Sequence, residues 1–229
     1  MIHPIDRSSG LLLSNGPQRL RIFQEGWGDP EMIDELVIPD EPDPPAEIAI
    51  EWLEPEVDGG LTVRDGVFVS PGKRLPDYAT TAHVRHIIPR RPTNRMCVLM
   101  AAWTDHGYAT RSKLAAGLAE RGIASAMLEN PFYGHRRPRP EADQPIRTVG
   151  DFAVMGRSAV TEGRALLAHF APDYEMGVSG YSMGGNVSAL VGALMDTPVA
   201  IAALAASHSP GPVYLDGVLV NGIDWDALG

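Results

Sequence analysis

The stretch that decides the fold runs Met176-Gly177-Val178-Ser179-Gly180-Tyr181-Ser182-Met183-Gly184-Gly185-Asn186-Val187. Met176–Ser179 reads as a short buried strand, while Val187, Leu190, Val191 and Leu194 recur at the spacing of one helical face. Between them lies Gly180-Tyr181-Ser182-Met183-Gly184, a Gly-x-Ser-x-Gly pattern that is weak as composition but specific when a strand precedes it and a helix follows. On so sharp a turn the serine backbone is strained and its hydroxyl stands clear of the sheet. Residues two before and two after the serine approach one another, which is why Gly180 and Gly184 must be glycine. The amide of Met183 opens the helix and faces the oxygen that turns negative during acyl transfer. The bland alternative is a glycine-rich turn with a surface serine, or a phosphate loop. A phosphate loop calls for a Walker lysine or a Gly-x-Gly-x-x-Gly run, and neither is present.

Working outward, the pattern repeats. Val98–Ala102 is a continuous apolar run suited to a strand buried on both faces, and Ser112–Arg121 carries Leu114 and Leu118 on one helical face before Gly122 stops it. Ile123–Leu128 is a second buried strand. Thr148 followed by Asp151 resembles a capping box, opening a helix whose Phe152, Met155, Ala159, Leu166 and Phe170 share a face. Val199–Ala205 is a further strand. Strands alternating with helices in this way specify a parallel sheet with helices packed on it. Gly66–Ser70 and His83–Ile88 are short and β-branched, and favour a hairpin-like opening of the sheet. Residues 1–60 have little periodicity and an acidic, proline-rich run, Pro39-Asp40-Glu41-Pro42-Asp43-Pro44-Pro45. They are expected to form an N-terminal extension or cap with one or two short helices, ahead of a domain over 61–229.

This order of elements around Ser182 is that of the α/β-hydrolase fold, a mostly parallel sheet with helices on both faces. In that fold a second amide for the oxyanion comes from the loop after an earlier strand, here Ala102-Trp103-Thr104-Asp105-His106-Gly107. Trp103 and Thr104 are therefore the expected partners of Met183 in the oxyanion hole. Asp105 and His106, together with Tyr181 beside the serine, are expected to be adjacent to substrate. The alternative for Asp105 and His106 is a polar pair that fixes the loop.

From Gly26-Trp27-Gly28-Asp29-Pro30 onward the chain resembles the α/β-hydrolase domain-containing protein 18 family. The likeness rests on Val69-Ser70-Pro71, Asp105-His106, Leu128-Glu129-Asn130-Pro131-Phe132-Tyr133-Gly134, Val154-Met155-Gly156, Ser182-Met183-Gly184-Gly185, and Gly217-Val218-Leu219 with Trp225. The resemblance implies serine hydrolase activity on an ester, including lipid esters, with the family's elbow serine matching Ser182 and its Asp-His pair matching Asp105 and His106. Two departures stand out. Glycines usually precede Asp-His, where this chain has Trp103 and Thr104, and that bulk narrows the acyl pocket or reshapes the oxyanion hole. Family members also continue well beyond Trp225, so later strands of the fold are expected to be missing and the chain reads as truncated.

The order of the catalytic set in this fold is serine, then an acid, then histidine. After Ser182 the one histidine is His208, directly behind the last strand at the end of the sheet where the serine emerges, and the acids are Asp196, Asp216, Asp224 and Asp226. His208 arrives one or two strands too early for the usual base; its alternative is an ordinary loop histidine. A serine lacking a base is a poor nucleophile at neutral pH. A non-catalytic protein holding an acyl ligand or a partner is therefore the rival to an esterase. Stopping after Val199–Ala205 would also leave an exposed sheet edge, and self-association through it is expected.

Bulk properties narrow the field further. The 229 residues carry 29 acidic against 19 basic side chains, a formal charge of −10 that disfavours nucleic acid and anionic lipid surfaces. The one cysteine, Cys97, excludes an internal disulfide and reads as a buried strand residue. No apolar stretch reaches transmembrane length and the N-terminus lacks a signal-peptide layout, so a cytoplasmic location is expected. His83 and His86 face opposite sides of a strand and make a poor metal pair. Neither a metal nor any other cofactor is expected. The basic run His135-Arg136-Arg137-Pro138-Arg139 is expected to be solvated, with anion binding as its alternative.

Overall fold

A computed structural model describes residues 21–36, 42–91, 93–138 and 145–229. The N-terminal residues 1–20, Pro39-Asp40-Glu41 of the proline-rich run and Arg139 of the basic run lie outside the described residues. In chain order the regular elements are α1 (Pro30–Ile33), β1 (Glu51–Trp52), β2 (Glu56–Asp58), β3 (Leu61–Val69), β4 (Thr81–Ile88), β5 (Arg95–Met100), α2 (Ala109–Glu120) and β6 (Ala124–Leu128). They continue with α3 (Val149–Phe170), β7 (Glu175–Tyr181), α4 (Met183–Ala193), β8 (Ala200–Leu204), α5 (Gly211–Tyr214) and α6 (Trp225–Leu228).

The strands form one sheet in the order β1-β3-β4-β6-β5-β7-β8, with β2 also paired to β3. β6, β5, β7 and β8 are parallel, whereas β3 and β4 pair antiparallel with Phe68 opposite Ala82, the hairpin-like opening expected from their composition. β1 and β2 both pair antiparallel with β3, so the segment before residue 61 contributes strands to the sheet itself.

The two faces of the sheet follow from strand alternation. On β5, Met96, Val98 and Met100 join Ala159, Leu166, Val187 and Val191 in a core under α3 and α4. Leu99 and Cys97 point the other way, toward Tyr108, Ala115 and Ala119 around α2. Helices therefore cover both faces. The Cys97 thiol is pushed up to about 12 by burial, which keeps it protonated and unreactive. α3 begins at the expected capping box, in which the Thr148 hydroxyl accepts from the Asp151 amide and the Asp151 carboxylate accepts from the Thr148 amide.

The first and last described segments meet. Ile22 and Ile223 form a parallel bridge, the Ile22 amide donates to Gly222 O at 2.8 Å, and the Trp27 indole donates to Leu228 O at 2.9 Å. Gly26 sits at φ 75°, and a Cβ there would lie 2.6 Å from Ala227 O, which is why the Gly-Trp-Gly run needs its first glycine. At the far side of the sheet, all five residues of β8 are exposed, and its outer edge is the end of the sheet.

The basic run departs from expectation. Arg136 is fully buried, paired with the equally buried Glu162 at 2.7 Å, and donates to Ala79 O and Glu129 O. Its guanidinium is a structural cross-tie between the loop after β6, α3 and the turn before β4. The sequence offered only a string of cations; the acid that draws one of them inward comes from a distant helix.

Candidate active site

The C-terminal ends of the four parallel strands share a feature. Each is followed by a non-glycine residue in the left-handed region: Thr104 after β5 (φ 62°), Phe132 after β6 (φ 67°), Ser182 after β7 (φ 54°) and Ala205 after β8 (φ 48°). Such conformations cost of order 1–3 kcal/mol each and gather where the backbone is forced around a site. The crevice outside the carboxyl ends of parallel strands, at the point where successive connections leave on opposite faces, is where open α/β sheets bind ligands.

At Ser182 the turn is held from three sides. Its backbone stands at φ 54°, ψ −118°, its amide donates to Leu204 O at 2.9 Å, and its carbonyl accepts from the Asn186 amide at 3.1 Å as α4 begins. A Cβ on Gly180 would overlap the Gly184 main chain, and one on Gly184 would lie 2.6 Å from Met100 O and 2.9 Å from Ala101 O. Helix start, turn and the end of β5 are in contact, with no room for a side chain at either glycine. Asn186 Nδ2 donates to Ser207 O at 2.9 Å and so ties the loop after β8 to the same helix.

An open cavity lies over this turn. Ser182 and Met183 line it, with Trp103 from the β5 loop, Phe152 from α3, and Val213, Tyr214 and Leu219 from the tail after β8. The aromatic rings form a connected wall: Trp103 lies 5.8 Å from Phe152 and 5.8 Å from Tyr214, and Phe152 is 5.5 Å from Tyr214. Burial pushes the Tyr214 phenol well above its ordinary range, so it stays neutral. The indole N–H of Trp103 is buried with no acceptor among the described residues.

The remaining expected residues sit apart from this cavity. Asp105 is buried and turned inward, accepting from Arg111 Nε at 2.7 Å, while Arg111 also donates to Leu99 O, Leu128 O and Gly107 O. That is the loop-fixing role. His106 is exposed, lies edge-on to Tyr133 at 4.9 Å and accepts from the Gly134 amide at 3.4 Å. Partial burial lowers its pKa, Arg137 lowers it further, and Asp105 opposes both. Tyr181 is 64% exposed, because strand alternation turns it away from the hydroxyl of the next residue. Thr104 and His208 are exposed and are not among the lining residues, although Ser207 and Ser209 on either side of His208 are. Sequence reasoning missed Phe152, Asn186, Val213 and Tyr214 as cavity residues. Phe152 was readable only as a helix-face residue, and the tail carries no periodic signal.

A mixed sheet with four adjacent parallel strands and a strained serine between β7 and α4 defines an α/β-hydrolase-type protein. The chain belongs to the alpha/beta hydrolase domain containing 18 family, whose model matches residues 20–229. Among solved structures, it is similar to a cold-adapted esterase from an Arctic intertidal metagenomic library, at TM-score 0.50 and 19% identity over 62% of this chain and 60% of that one. It is also similar to a Bacteroides fragilis protein assigned as an acetyl xylan esterase, at TM-score 0.50 and 14% identity over 72% of this chain and 48% of that one. The chain thus spans less than two thirds of the length of either, and the likeness is one of fold. No helix among the described residues is long and apolar enough to cross a membrane.

Proposed function

We propose that the protein is a serine hydrolase acting on a carboxylic ester, lipid esters included, through an acyl-enzyme on Ser182. The observation that carries this reading is the strained serine at φ 54° opening a helix, on the wall of a cavity lined largely by apolar side chains. In the proposed reaction Ser182 Oγ attacks the acyl carbonyl carbon while its proton passes to a base. The ester C–O bond breaks, the alcohol leaves with that proton, and water then releases the acid and restores the hydroxyl. The Met183 amide and an amide from Trp103 or Thr104 would hold the oxyanion. Trp103, Phe152 and Tyr214 form an apolar wall suited to an acyl chain. His208 is the proposed base. It lies between two cavity-lining residues, Ser207 and Ser209.

A second reading has its own observation: among the described residues, no histidine lines the cavity. On that reading the chain holds an acyl ligand without turning it over. A fluorophosphonate probe separates the two. Labelling that disappears in Ser182→Ala and falls sharply in His208→Ala supports the hydrolase and its base, and labelling unchanged in His208→Ala removes His208 from the reaction. Folded wild-type protein that does not label, yet retains a fluorescent fatty acid, would establish the binder instead.

A further inference from the structure

Away from the serine, a second group of side chains converges at the start of the loop after β6. His83 on β4, Glu129 just beyond β6 and His135 in the same loop each bring one potential ligand atom within 4.8 Å of the others. None of the three lines the Ser182 cavity. Sequence spacing sets His83 beside His86 alone, and His86 is buried against Trp52 and Phe170 on the opposite side of β4.

The arrangement is built by the backbone. The Glu129 amide donates to His83 O at 3.0 Å, and the His135 amide donates to Glu129 Oε2 at 3.0 Å, so main-chain bonds set all three residues. The His83 and His135 rings stack at 4.6 Å. Gly134, at φ 52°, lets the carboxylate lie across the loop, since a Cβ there would overlap it. His135 Nδ1 lies 3.3 Å from Glu129 Oε2. In a tetrahedral zinc site with bonds of about 2.0–2.2 Å, two ligand atoms stand about 3.3 Å apart. One edge of that tetrahedron is already in place, and a ring nitrogen of His83 lies within 4.8 Å of both atoms.

The charge at the site is unbalanced. The Glu129 carboxylate is fully buried, and its Oε1 has no hydrogen-bond partner among the described residues. The nearby Arg136 gives its charge to Glu162 and reaches only the backbone carbonyl of Glu129. A buried carboxylate without a cation is costly. His135 is largely exposed, so solvent reaches the open position.

We propose that His83, Glu129 and His135 bind a divalent transition-metal ion of the Zn2+ type, which pins the loop after β6 to β4. Two imidazoles and one carboxylate suit Zn2+ and leave a fourth position for water. The ion would tie down a loop that carries Phe132 and Tyr133, which pack in the cluster that supports the cavity wall.

The test uses the 229-residue chain dialysed against a chelator and titrated with Zn2+ by calorimetry, with Co2+ as a spectroscopic stand-in. The expected result is about one Zn2+ per chain and tetrahedral Co2+ absorption. Affinity should be at least about 100-fold lower in His83→Ala and His135→Ala, beyond the 10–100-fold typical of changes behind the ligands. His135 is exposed, so His135→Ala keeps the fold, which circular dichroism verifies; His169→Ala, an exposed histidine on α3, should bind as wild type. No binding by the folded wild type would mean that His135 and Glu129 form only an ion pair, and the proposal fails. It fails equally if His135→Ala binds Zn2+ as tightly as wild type.

Discussion

Gly184→Ala sets two physical arguments against each other. Gly184 is in the first turn of α4, and helix propensity alone favours alanine over glycine by about 1 kcal/mol. Packing says the reverse. The new Cβ would lie 2.6 Å from Met100 O and 2.9 Å from Ala101 O, whereas ordinary contact begins near 3.4 Å. Both neighbours are main-chain atoms at the end of a central strand, so neither can swing aside and α4 must retreat by about 0.8 Å. Forced overpacking of this kind costs about 1–3 kcal/mol, and with rigid partners the upper end applies. Set against the propensity gain, the net loss is about 2 kcal/mol. For a chain of this size that lowers the melting temperature by about 4–8 °C. The control is Gly156→Ala in the middle of α3, where a Cβ meets nothing within 4 Å and propensity acts unopposed. It should raise the melting temperature by about 2–4 °C. Differential scanning fluorimetry on both variants decides the matter. If Gly184→Ala rises alongside Gly156→Ala, the close approach of helix and strand that defines the serine turn does not exist. Should the protein label with a fluorophosphonate, the same displacement would also cut the labelling rate by about 100-fold, since misplacing a reacting group by about 1 Å carries that penalty.

Three further outcomes follow from particular contacts. Asp105→Ala leaves the Arg111 guanidinium buried without its acid and should cost about 3–5 kcal/mol in urea unfolding; an effect under about 1 kcal/mol would refute the loop-fixing role. His86 is buried against Trp52 and Phe170, and burial, helped by Arg64, pushes its pKa down from 6.5 to about 4. Its folded form thus binds a proton less readily than the unfolded chain, so stability is full above about pH 6.5 and falls as the pH drops toward 4, by up to about 3 kcal/mol. His86→Leu should flatten that slope in melting temperature against pH, and an unchanged slope would assign the acid sensitivity elsewhere. Trp103→Ala opens the aromatic wall, and on the proposed activity kcat/KM for long-chain p-nitrophenyl esters should rise at least about 10-fold relative to the acetate. A parallel change for both esters would separate Trp103 from acyl selection.

What the sequence determined by itself was local. The Gly180–Gly184 run between an apolar strand and an amphipathic helix dictated a strained serine turn, because strand, turn and helix are encoded by neighbours within a dozen residues. The Thr148–Asp151 capping box and the buried strands around Val98 and Ala126 were legible for the same reason: backbone capping and side-chain periodicity act at short range. What only the tertiary structure decided depends on residues far apart in the chain. Asp105, readable as a site residue, is drawn inward by Arg111, and Arg136, readable as a solvated cation, is drawn into the core by Glu162. A buried charge goes where its partner is, and no local pattern names the partner. The cavity wall joins Trp103, Phe152 and Tyr214 from three separate segments, and the segment before residue 61 proves to supply sheet strands because β3 offers it an edge. His83, Glu129 and His135 meet only because β4 pairs antiparallel with β6, a register that side-chain alternation permits but cannot choose.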